Sequence, residues 1–292
     1  MPTLDFEHIS VHYADTGEDT PLHAVEDFTL SLAQGESVAL IGPSGCGKST
    51  LLRLACGLAA PTSGRVLVDG EPLTKPRRGT ALILQDFGLL PWKTVYRNAE
   101  LGLKVAGVPA EERKQRTEAA LRQVELTDFA NAWPGQLSGG MKQRLAIARA
   151  LAQDADVLLM DEPLSALDAL LREQLQDTLL DIWQTRRPTQ LLVTHSIEEA
   201  VYLGQRIVVL SPRPGRVKAI VENPDMGTRS WRASEEFFAR CTRVRALLDA
   251  SAQAGTASVT GDVAVSEPAA ASKPASASNP APEMEAARRS PP

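Results

Sequence analysis

Short runs of apolar residues, continuous rather than alternating, recur along the chain. These runs cover 37–41, 65–69, 80–84, 157–161, 190–194 and 206–210. Gly, Pro or polar residues bound them, which is typical of strands that are buried on both faces. Longer stretches with helical periodicity lie between several of the runs, at 48–58, 111–125, 140–152 and 167–183. This alternation predicts an α/β core with a largely parallel sheet.

Two other regions have patterns of their own. Residues 4–32 alternate apolar and polar positions around a polar loop at 15–21, which predicts half-exposed antiparallel strands. The hairpin-like stretch 65–70 is expected to join them in an antiparallel β subdomain. Residues 91–152 have helical periodicity throughout and contain no strand pattern. They predict a helical subdomain inserted into the sheet.

The C-terminal part of the chain differs in composition from the rest. A helix-like stretch at 235–248 contains Phe237 and Phe238, which we expect to pack back on the core. After about residue 250 the sequence is rich in Ala, Ser and Pro without periodicity, which predicts disorder. We therefore expect one domain over 4–225, a helical extension over 226–250 and a disordered tail over 251–292.

Composition narrows the classes of function. The 292 residues are 43% hydrophobic, and Lys plus Arg (31) nearly balance Asp plus Glu (36), for a net charge of -5. This balance disfavours a nucleic-acid partner. The three cysteines show no disulfide or metal-ligand spacing, which indicates a reducing compartment. No secretory signal is readable, and no apolar run approaches the length of about 20 residues that a membrane span needs.

A glycine-rich loop follows the apolar run 37–41 and precedes the helical stretch 48–58. Its sequence matches the Walker A pattern, which is strongly indicative in this strand–loop–helix context. The loop consists of Gly42, Pro43, Ser44, Gly45, Cys46, Gly47, Lys48, Ser49 and Thr50. Glycines let backbone N–H groups approach phosphates, and the helix N-terminus favours anions. We expect Lys48 to contact the β- and γ-phosphates of ATP, Ser49 to coordinate Mg²⁺, and the Cys46 thiol to be a bystander.

A second motif supplies acidic groups. The apolar run 157–161 ends in Asp161 and Glu162, as a Walker B strand does. Alone, such a pair is often only a strand entering a solvated turn. Together with Walker A, it predicts that Asp161 holds Mg²⁺ and that Glu162 is the general base for the attacking water.

A second glycine-rich loop resembles the signature motif of ATP-binding-cassette (ABC) transporters. It consists of Leu137, Ser138, Gly139, Gly140, Met141, Lys142 and Gln143. It lies at a helix start, which makes a second anion site. With this loop, the chain resembles the ATP-binding subunits of ABC transporters over approximately residues 4 to 220. The resemblance implies a P-loop cassette that forms a homodimer, in which this motif contacts the γ-phosphate of ATP bound by the other subunit.

Other elements of that family follow in the same order. Gln85 occupies the glutamine loop, His195 follows the run 190–194, and the D-loop comprises Ser165, Ala166, Leu167 and Asp168. The resemblance implies that Gln85 touches Mg²⁺ or the water, that His195 contacts the γ-phosphate and that Asp168 helps build the dimer interface. Tyr13 occupies the position of the adenine-stacking aromatic residue; alternatively, it packs on the core as an ordinary strand residue. Ser196 stands where the family more often has Asp.

Further motifs resemble the importer group for nitrate, sulfonates, taurine and bicarbonate. They lie at 89–92, 160–169, 194–200 and 211–216. This likeness implies an ATP-hydrolysing importer subunit on the cytoplasmic face of the inner membrane, with two permease subunits and, indirectly, a solute-binding protein. Residues 89–92 either form a groove for a permease helix or pack the helical subdomain.

Other functions remain as alternatives. One is a non-transport ABC ATPase of the DNA-repair or translation type, another an importer subunit for a thiamine-precursor pyrimidine. A small-molecule kinase would explain Walker A but leave the signature motif, the D-loop and His195 without a role.

Overall fold

The computed structural model describes residues 1–13, 22–165 and 167–257. The polar loop 15–21, Ala166 and residues 258–292 lie outside the described residues. The strands are β1 (Leu4–Tyr13), β2 (Leu22–Leu32), β3 (Ser37–Ile41), β4 (Ser63–Val68), β5 (Glu71–Pro72), β6 (Thr80–Ile83), β7 (Val157–Asp161), β8 (Thr189–Thr194), β9 (Arg206–Leu210) and β10 (Val217–Glu222). The helices are α1 (Lys48–Ala55), α2 (Val95–Ala99), α3 (Leu101–Val105), α4 (Ala110–Gln123), α5 (Gly139–Ala152), α6 (Ala169–Arg186), α7 (Ile197–Leu203) and α8 (Glu235–Ala257).

A six-stranded sheet forms the centre of the described structure, in the order β10-β9-β3-β8-β7-β6. All neighbours pair in parallel except β10 and β9, which are antiparallel. Successive side chains alternate between two apolar cores, because side chains along a strand point to opposite faces. In β3, for example, Val38 and Leu40 lie in one core, whereas Ala39 and Ile41 lie in the other. The predicted α/β core with a mostly parallel sheet is confirmed.

A second, four-stranded sheet has the order β2-β1-β4-β5 and antiparallel pairing throughout. Its inward side chains, including Phe6 and Phe28, share a core with α1 and one face of the central sheet. The predicted antiparallel β subdomain is therefore present.

Helices α2 to α5 occupy the region predicted as a helical insertion, and no strand interrupts them between residues 91 and 152. Apolar residues of α4 and α5, such as Leu121, Leu145 and Ile147, are buried in the core on the other face of the central sheet. This placement rigidly joins the signature helix α5 to the sheet that carries Walker B.

The C-terminal region differs from expectation in three ways. Strand β10 and the short helix α7 had no predicted counterpart. Phe237 is buried at 3% exposure as expected, but Phe238 is 61% exposed, so the expectation that both pack on the core is wrong for Phe238. Helix α8 continues past the predicted end at 248 to Ala257, so the first residues of the segment 251–292, which we expected to be disordered, are helical.

Candidate active site

Four neighbouring parallel strands bring the motif residues together at their carboxyl ends. Gly42 directly follows β3, and His195 directly follows β8. Asp161 is the last residue of β7, and Glu162 comes directly after it. Gln85 comes shortly after β6. These strands are adjacent in the order β3-β8-β7-β6. Residues that are distant in sequence therefore meet at the carboxyl ends of the strands, where open α/β sheets bind their ligands.

The Walker A loop is pressed tightly against β2. Gly47 immediately precedes α1 and has φ +95°, a backbone conformation that favours glycine. A Cβ atom on Gly47 would lie 2.5 Å from Cγ2 of Val25 and 2.8 Å from the carbonyl oxygen of Ala24. Only glycine fits at this point, so the packing of the chain itself fixes the curve of the loop.

Lys48 lies on the inner side of that curve. Its side chain is only 7% exposed, and its ammonium donates hydrogen bonds to the carbonyl oxygens of Gly42 (2.8 Å) and Pro43 (2.9 Å). The positive charge is thus held inside the glycine-rich loop, at the N-terminus of α1, where a phosphate group is favoured.

The Cys46 thiol lies close to the same ammonium, with Sγ 3.9 Å from Nζ of Lys48. The residue is fully buried, and burial raises the pKa of its thiol. Its backbone N–H donates to the carbonyl oxygen of Pro43 at 3.4 Å. The expectation that its thiol is a bystander stays a prediction.

Ser49 and Asp161 present oxygen atoms side by side. The Ser49 hydroxyl donates to Oδ1 of Asp161 at 3.2 Å. Burial, with the nearby charge of Glu162, raises the pKa of Asp161, while the Ser49 hydrogen bond and the charges of Arg53 and Lys48 oppose this shift. A hydroxyl and a carboxylate beside a phosphate-binding loop form the hard oxygen donor set that Mg²⁺ prefers, so these residues fit a magnesium ion.

Glu162 stands between the other two expected catalytic residues. Its Oε2 accepts a hydrogen bond from Nε2 of Gln85 at 3.2 Å and lies 3.2 Å from Nδ1 of His195. The backbone of Glu162 has φ +48°, and its N–H donates to the carbonyl oxygen of Val193 at 2.8 Å. Strained backbone of this kind concentrates at functional sites. Glu162 therefore combines an unusual backbone conformation with a carboxylate that both Gln85 and His195 approach.

Glu199 lies behind His195 and was not expected to matter. It is 3% exposed and accepts a hydrogen bond from the Thr194 hydroxyl. Burial is the main cause that raises the pKa of Glu199 to about 7. Ser196 caps α7 by accepting the N–H of Glu199 at 3.2 Å. Since Ser and Asp are both good helix caps, the departure at Ser196 preserves this local structure.

A cavity of about 450 Å³ opens beside the Walker A loop. Its lining consists of Tyr13, Leu22, Ala24, Ser44, Gly45, Gly47, Lys48, Ser49, Thr50, Gln85, Glu162 and Arg213. Cavities of this size accommodate small-molecule ligands. Tyr13 is 43% exposed, and its hydroxyl lies 3.1 Å from that of Thr50, so the alternative that Tyr13 packs on the core is wrong. Arg213 lines the same cavity and was missed, although the motif 211–216 contained it.

None of the signature loop's residues lines this cavity. Ser138 is exposed and caps α5, accepting the N–H of Met141 at 3.3 Å. Leu137 and Gln143 are buried, and the Gln143 amide donates to the carbonyl oxygen of Pro163 in the same chain. The expectation that all residues of this loop contact a second subunit's ATP is therefore corrected for Leu137 and Gln143, whose side chains hold the loop in place.

The D-loop likewise contains both exposed and buried residues. The Ser165 hydroxyl donates to the carbonyl oxygen of Glu162 at 3.1 Å, and Asp168 caps α6 by accepting the N–H of Leu171 at 3.0 Å. Leu167 is buried in the core, and Ala166 lies outside the described residues. The D-loop is thus directly connected to the Walker B acid, while its expected contact with a partner stays a prediction.

Two polar residues, the buried Asn98 and the half-buried Arg149, hold the segment that follows Gln85. The Asn98 amide donates to the carbonyl oxygens of Leu90 (3.1 Å) and Lys93 (2.9 Å), and its Oδ1 accepts the N–H of Leu90 at 2.8 Å. The Arg149 guanidinium, on the signature helix α5, donates to the carbonyl oxygen of Phe87 at 2.7 Å. Sequence patterns could not identify these residues, because Asn98 acts on the segment that precedes its own helix and Arg149 on backbone 62 residues away.

This segment presents an aromatic surface. Trp92 is 68% exposed, and Trp133 is 47% exposed. Both line a cavity of about 290 Å³ together with Arg97 and Lys104. The alternative that residues 89–92 merely pack the helical subdomain is wrong for Trp92, although Leu89 does pack against the core.

Comparisons with known proteins agree with this geometry. Residues 25–165 match the family model described as ABC transporter. A putative ATP-binding protein of Brucella abortus is 45% identical over 245 residues, which is 83% of this chain and 92% of the relative. The taurine import ATP-binding protein TauB of Rhizobium johnstonii is 42% identical over 264 residues, 87% of this chain and 100% of the relative. Its Burkholderia pseudomallei counterpart is 47% identical over 219 residues, 75% and 84% of the two chains.

Solved structures give the same result. A dimeric ATP-binding cassette in a post-hydrolysis state with ADP and Pi has a TM-score of 0.69 and 32% identity to this chain. The match covers 75% of this chain and 98% of that structure. The predicted cassette fold and the resemblance stated from the motifs are confirmed. The chain belongs to the ABC transporter family, as an ATP-binding cassette that hydrolyses ATP.

Proposed function

We propose that this chain is the ATP-hydrolysing subunit of an ABC importer for a small anionic solute. The observation that carries the catalytic part is the convergence of Gln85 and His195 on the Glu162 carboxylate beside the Walker A loop. The observation that supports the transport part is the pair of exposed tryptophans beside the same segment. Likeness to proteins named for taurine import supports the direction of transport.

In the proposed mechanism, each group of residues has one task. Lys48 and the backbone N–H groups of the Walker A loop bind the β- and γ-phosphates, while the Tyr13 ring stacks on adenine. Magnesium, held by Ser49 and Asp161 beside Gln85, would neutralise charge on the phosphates. Glu162 accepts the proton of the attacking water, and His195 contacts the γ-phosphate.

The signature loop has a different task, because it does not line this cavity. Ser138, Gly139 and Gly140 begin α5 at an exposed helix N-terminus, a favourable place for an anion. We propose that this anion is the γ-phosphate of ATP held by a second copy of the chain. Two ATP molecules would then lie between two subunits, and dimer closure would drive the transporter.

The permease is proposed to bind at the surface around Trp92 and Trp133. Exposed aromatic rings rimmed by charged residues are typical of protein interaction sites. Arg149 ties the preceding segment to the signature helix, so closure of the dimer would move this surface. Among the described residues, no helix combines the length and apolar character needed to cross a membrane. We propose that this subunit sits on the cytoplasmic face of the inner membrane against two separate permease subunits.

The solute is proposed at the level of a class: nitrate, sulfonates, taurine or bicarbonate. Within this class the names of the relatives favour taurine. Solute specificity would reside in the permease and its solute-binding protein rather than in this chain.

Reconstitution with the proposed permease subunits tests the proposal. In vesicles we expect ATP-driven uptake of taurine or another solute of the class, lost in Glu162→Gln. The double variant Trp92→Ala/Trp133→Ala should lose permease binding but keep the ATPase activity of the isolated subunit. Phe238→Ala, which removes another exposed ring, is the matched control. Equal permease binding by the double variant and this control would contradict the docking surface.

A further inference from the structure

The loop between β9 and β10 is closed by its own hydrogen bonds. The Ser211 N–H donates to the carbonyl oxygen of Arg216 at 3.0 Å, and the Arg216 N–H donates back to the Ser211 hydroxyl oxygen at 3.0 Å. The Ser211 hydroxyl is also 2.9 Å from the carbonyl oxygens of Pro212 and Pro214. Residues 211–216 therefore form a tight turn with little conformational freedom.

This loop is attached to the two elements that shape the nucleotide cavity. The Gly215 N–H donates to the carbonyl oxygen of Ala24 at 3.0 Å, and its own carbonyl accepts the N–H of Glu26 at 3.1 Å. A Cβ atom on Gly215 would lie 2.0 Å from the carbonyl oxygen of Cys46. The loop is thus packed directly on strand β2 and on the Walker A loop, and glycine is needed for that approach.

This loop places Arg213, an exposed residue, beside the Walker A loop. Its guanidinium lies against the Walker A loop, since a Cβ atom on Gly45 would be 3.1 Å from one of its terminal nitrogens. Arg213 also lines the cavity that contains Tyr13 and Lys48. Among the residues the structure describes, its side chain has no hydrogen bond and no ion pair. Arg216, two positions later, is instead paired with Glu26 at 2.8 Å.

We propose that Arg213 binds the phosphate chain of the nucleotide held by the Walker A loop. A guanidinium is weakly hydrated and presents several donors in a plane, which suits bidentate contact with phosphate oxygens. No carboxylate of the described residues competes for it. Lys48 approaches the phosphates from inside the loop, and Arg213 approaches from the outer side of Gly45. This role rests on the proposed placement of ATP on residues 42–50.

The test is nucleotide affinity in the full-length protein, measured by titration calorimetry at concentrations where it is monomeric. We expect Arg213→Ala to weaken ATP and ADP binding about tenfold or more, because hydrogen bonds to charged groups contribute strongly. Adenosine, measured by saturation-transfer NMR, should bind equally to both forms. Arg213→Lys should restore part of the affinity. Arg216→Ala, the matched control in the same loop, should change ATP affinity less than about twofold.

Three results would overturn the proposal. In the first, Arg213→Ala and Arg216→Ala bind ATP equally well. In the second, Arg213→Ala weakens adenosine as much as ATP, which would assign Arg213 to the base or ribose. In the third, ATP binding is intact but ATP-dependent dimerisation is lost, which would assign it to a second copy. If Arg213→Ala unfolds at lower temperature, Arg213→Gln and Arg213→Lys are compared instead. Lys48→Ala tests the proposed placement of ATP separately from the role of Arg213. Unchanged ATP affinity in that variant would refute the placement of ATP on the Walker A loop.

Discussion

The two glycine-rich loops are superficially alike, but Gly47 of the first loop and Gly139 of the second have different surroundings. In the Walker A loop, a Cβ atom on Gly47 would meet Val25 at 2.5 Å, so the chain's own packing demands glycine. In the signature loop, a Cβ atom on Gly139 would meet nothing within 4 Å. The described structure therefore gives no internal reason for glycine at Gly139. The proposed approach of a second copy's nucleotide to the start of α5 would supply an external reason.

The two loops also differ in the charged and polar groups that surround them. The Walker A loop contains Lys48 and lies beside Asp161, Glu162 and Gln85, so cationic and acidic groups meet within one site. The signature loop offers an exposed helix N-terminus capped by Ser138. One loop thus belongs to a site whose catalytic groups come from this chain, and the other is suited to complete a site elsewhere.

The largest effect is expected from Glu162→Gln. Removal of a general base lowers the rate of hydrolysis by about 10²- to 10⁴-fold, while ATP binding at the Walker A loop is retained. Phosphate release and ATP affinity, measured on the same preparation, check both parts. Glu198→Gln, which alters an exposed glutamate, is the control. Near-normal turnover in Glu162→Gln would remove the base assignment.

Ser138→Arg should separate the two loops functionally. A long cationic side chain at the start of α5 blocks the approach of another molecule, so hydrolysis should fall at least about tenfold while the monomer keeps its ATP affinity. Gln115→Arg introduces the same side chain on the exposed face of α4 and should have little effect. Normal hydrolysis by Ser138→Arg would mean that the signature loop is not part of a composite site.

Alanine in place of each glycine compares the loops directly by stability. Gly47→Ala should lower the free energy of unfolding by about 2–4 kcal/mol, because the added Cβ clashes and φ is positive. Gly139→Ala should change it by less than about 1 kcal/mol, since the space is open. Urea denaturation measures both. If both variants lost the same free energy of unfolding, the proposed difference between Gly47 and Gly139 would be wrong.

The smallest expected effect concerns Glu199, buried beside the catalytic edge. Its pKa is about 7 in the folded chain against an ordinary value of 4.5, so the folded state holds a proton that the unfolded state releases between these pH values. Stability therefore falls as pH rises from about 4.5 to about 7. Glu199→Gln should be more stable than the wild type by about 1–3 kcal/mol at pH 8 and by little near pH 4.5. Thermal melts at both pH values check this, and a destabilised variant at pH 8 would contradict it.

Much of the fold could be predicted because the signals are local. The central strands are short apolar runs, and Walker A is recognisable from residues that are adjacent in sequence. Strand β10 escaped prediction since it lies at the sheet edge, where Val221 is buried but Lys218 and Glu222 are not. Helix α7, Ile197–Leu203, is too short for its periodicity to stand out.

The parts of the site that were missed depend on tertiary contacts. Asn98 holds the segment before its own helix, and Arg149 holds backbone 62 residues away. Arg213 lines the cavity from a loop that packs on the Walker A loop through Gly215. Gln143 belongs to a recognisable motif, but a motif does not reveal which of its side chains point inward. Such roles follow from three-dimensional packing and have no local pattern.

The most direct test of the account concerns the trans role of the signature loop, and it uses the Glu162→Gln variant with ATP and Mg²⁺. Light scattering should show a dimer for Glu162→Gln. The double variant Glu162→Gln/Ser138→Arg should be a monomer whose ATP affinity, measured by calorimetry, equals that of Glu162→Gln. A double variant that remains dimeric, or a monomer that no longer binds ATP, would contradict the claim that the signature loop serves the nucleotide of a second copy.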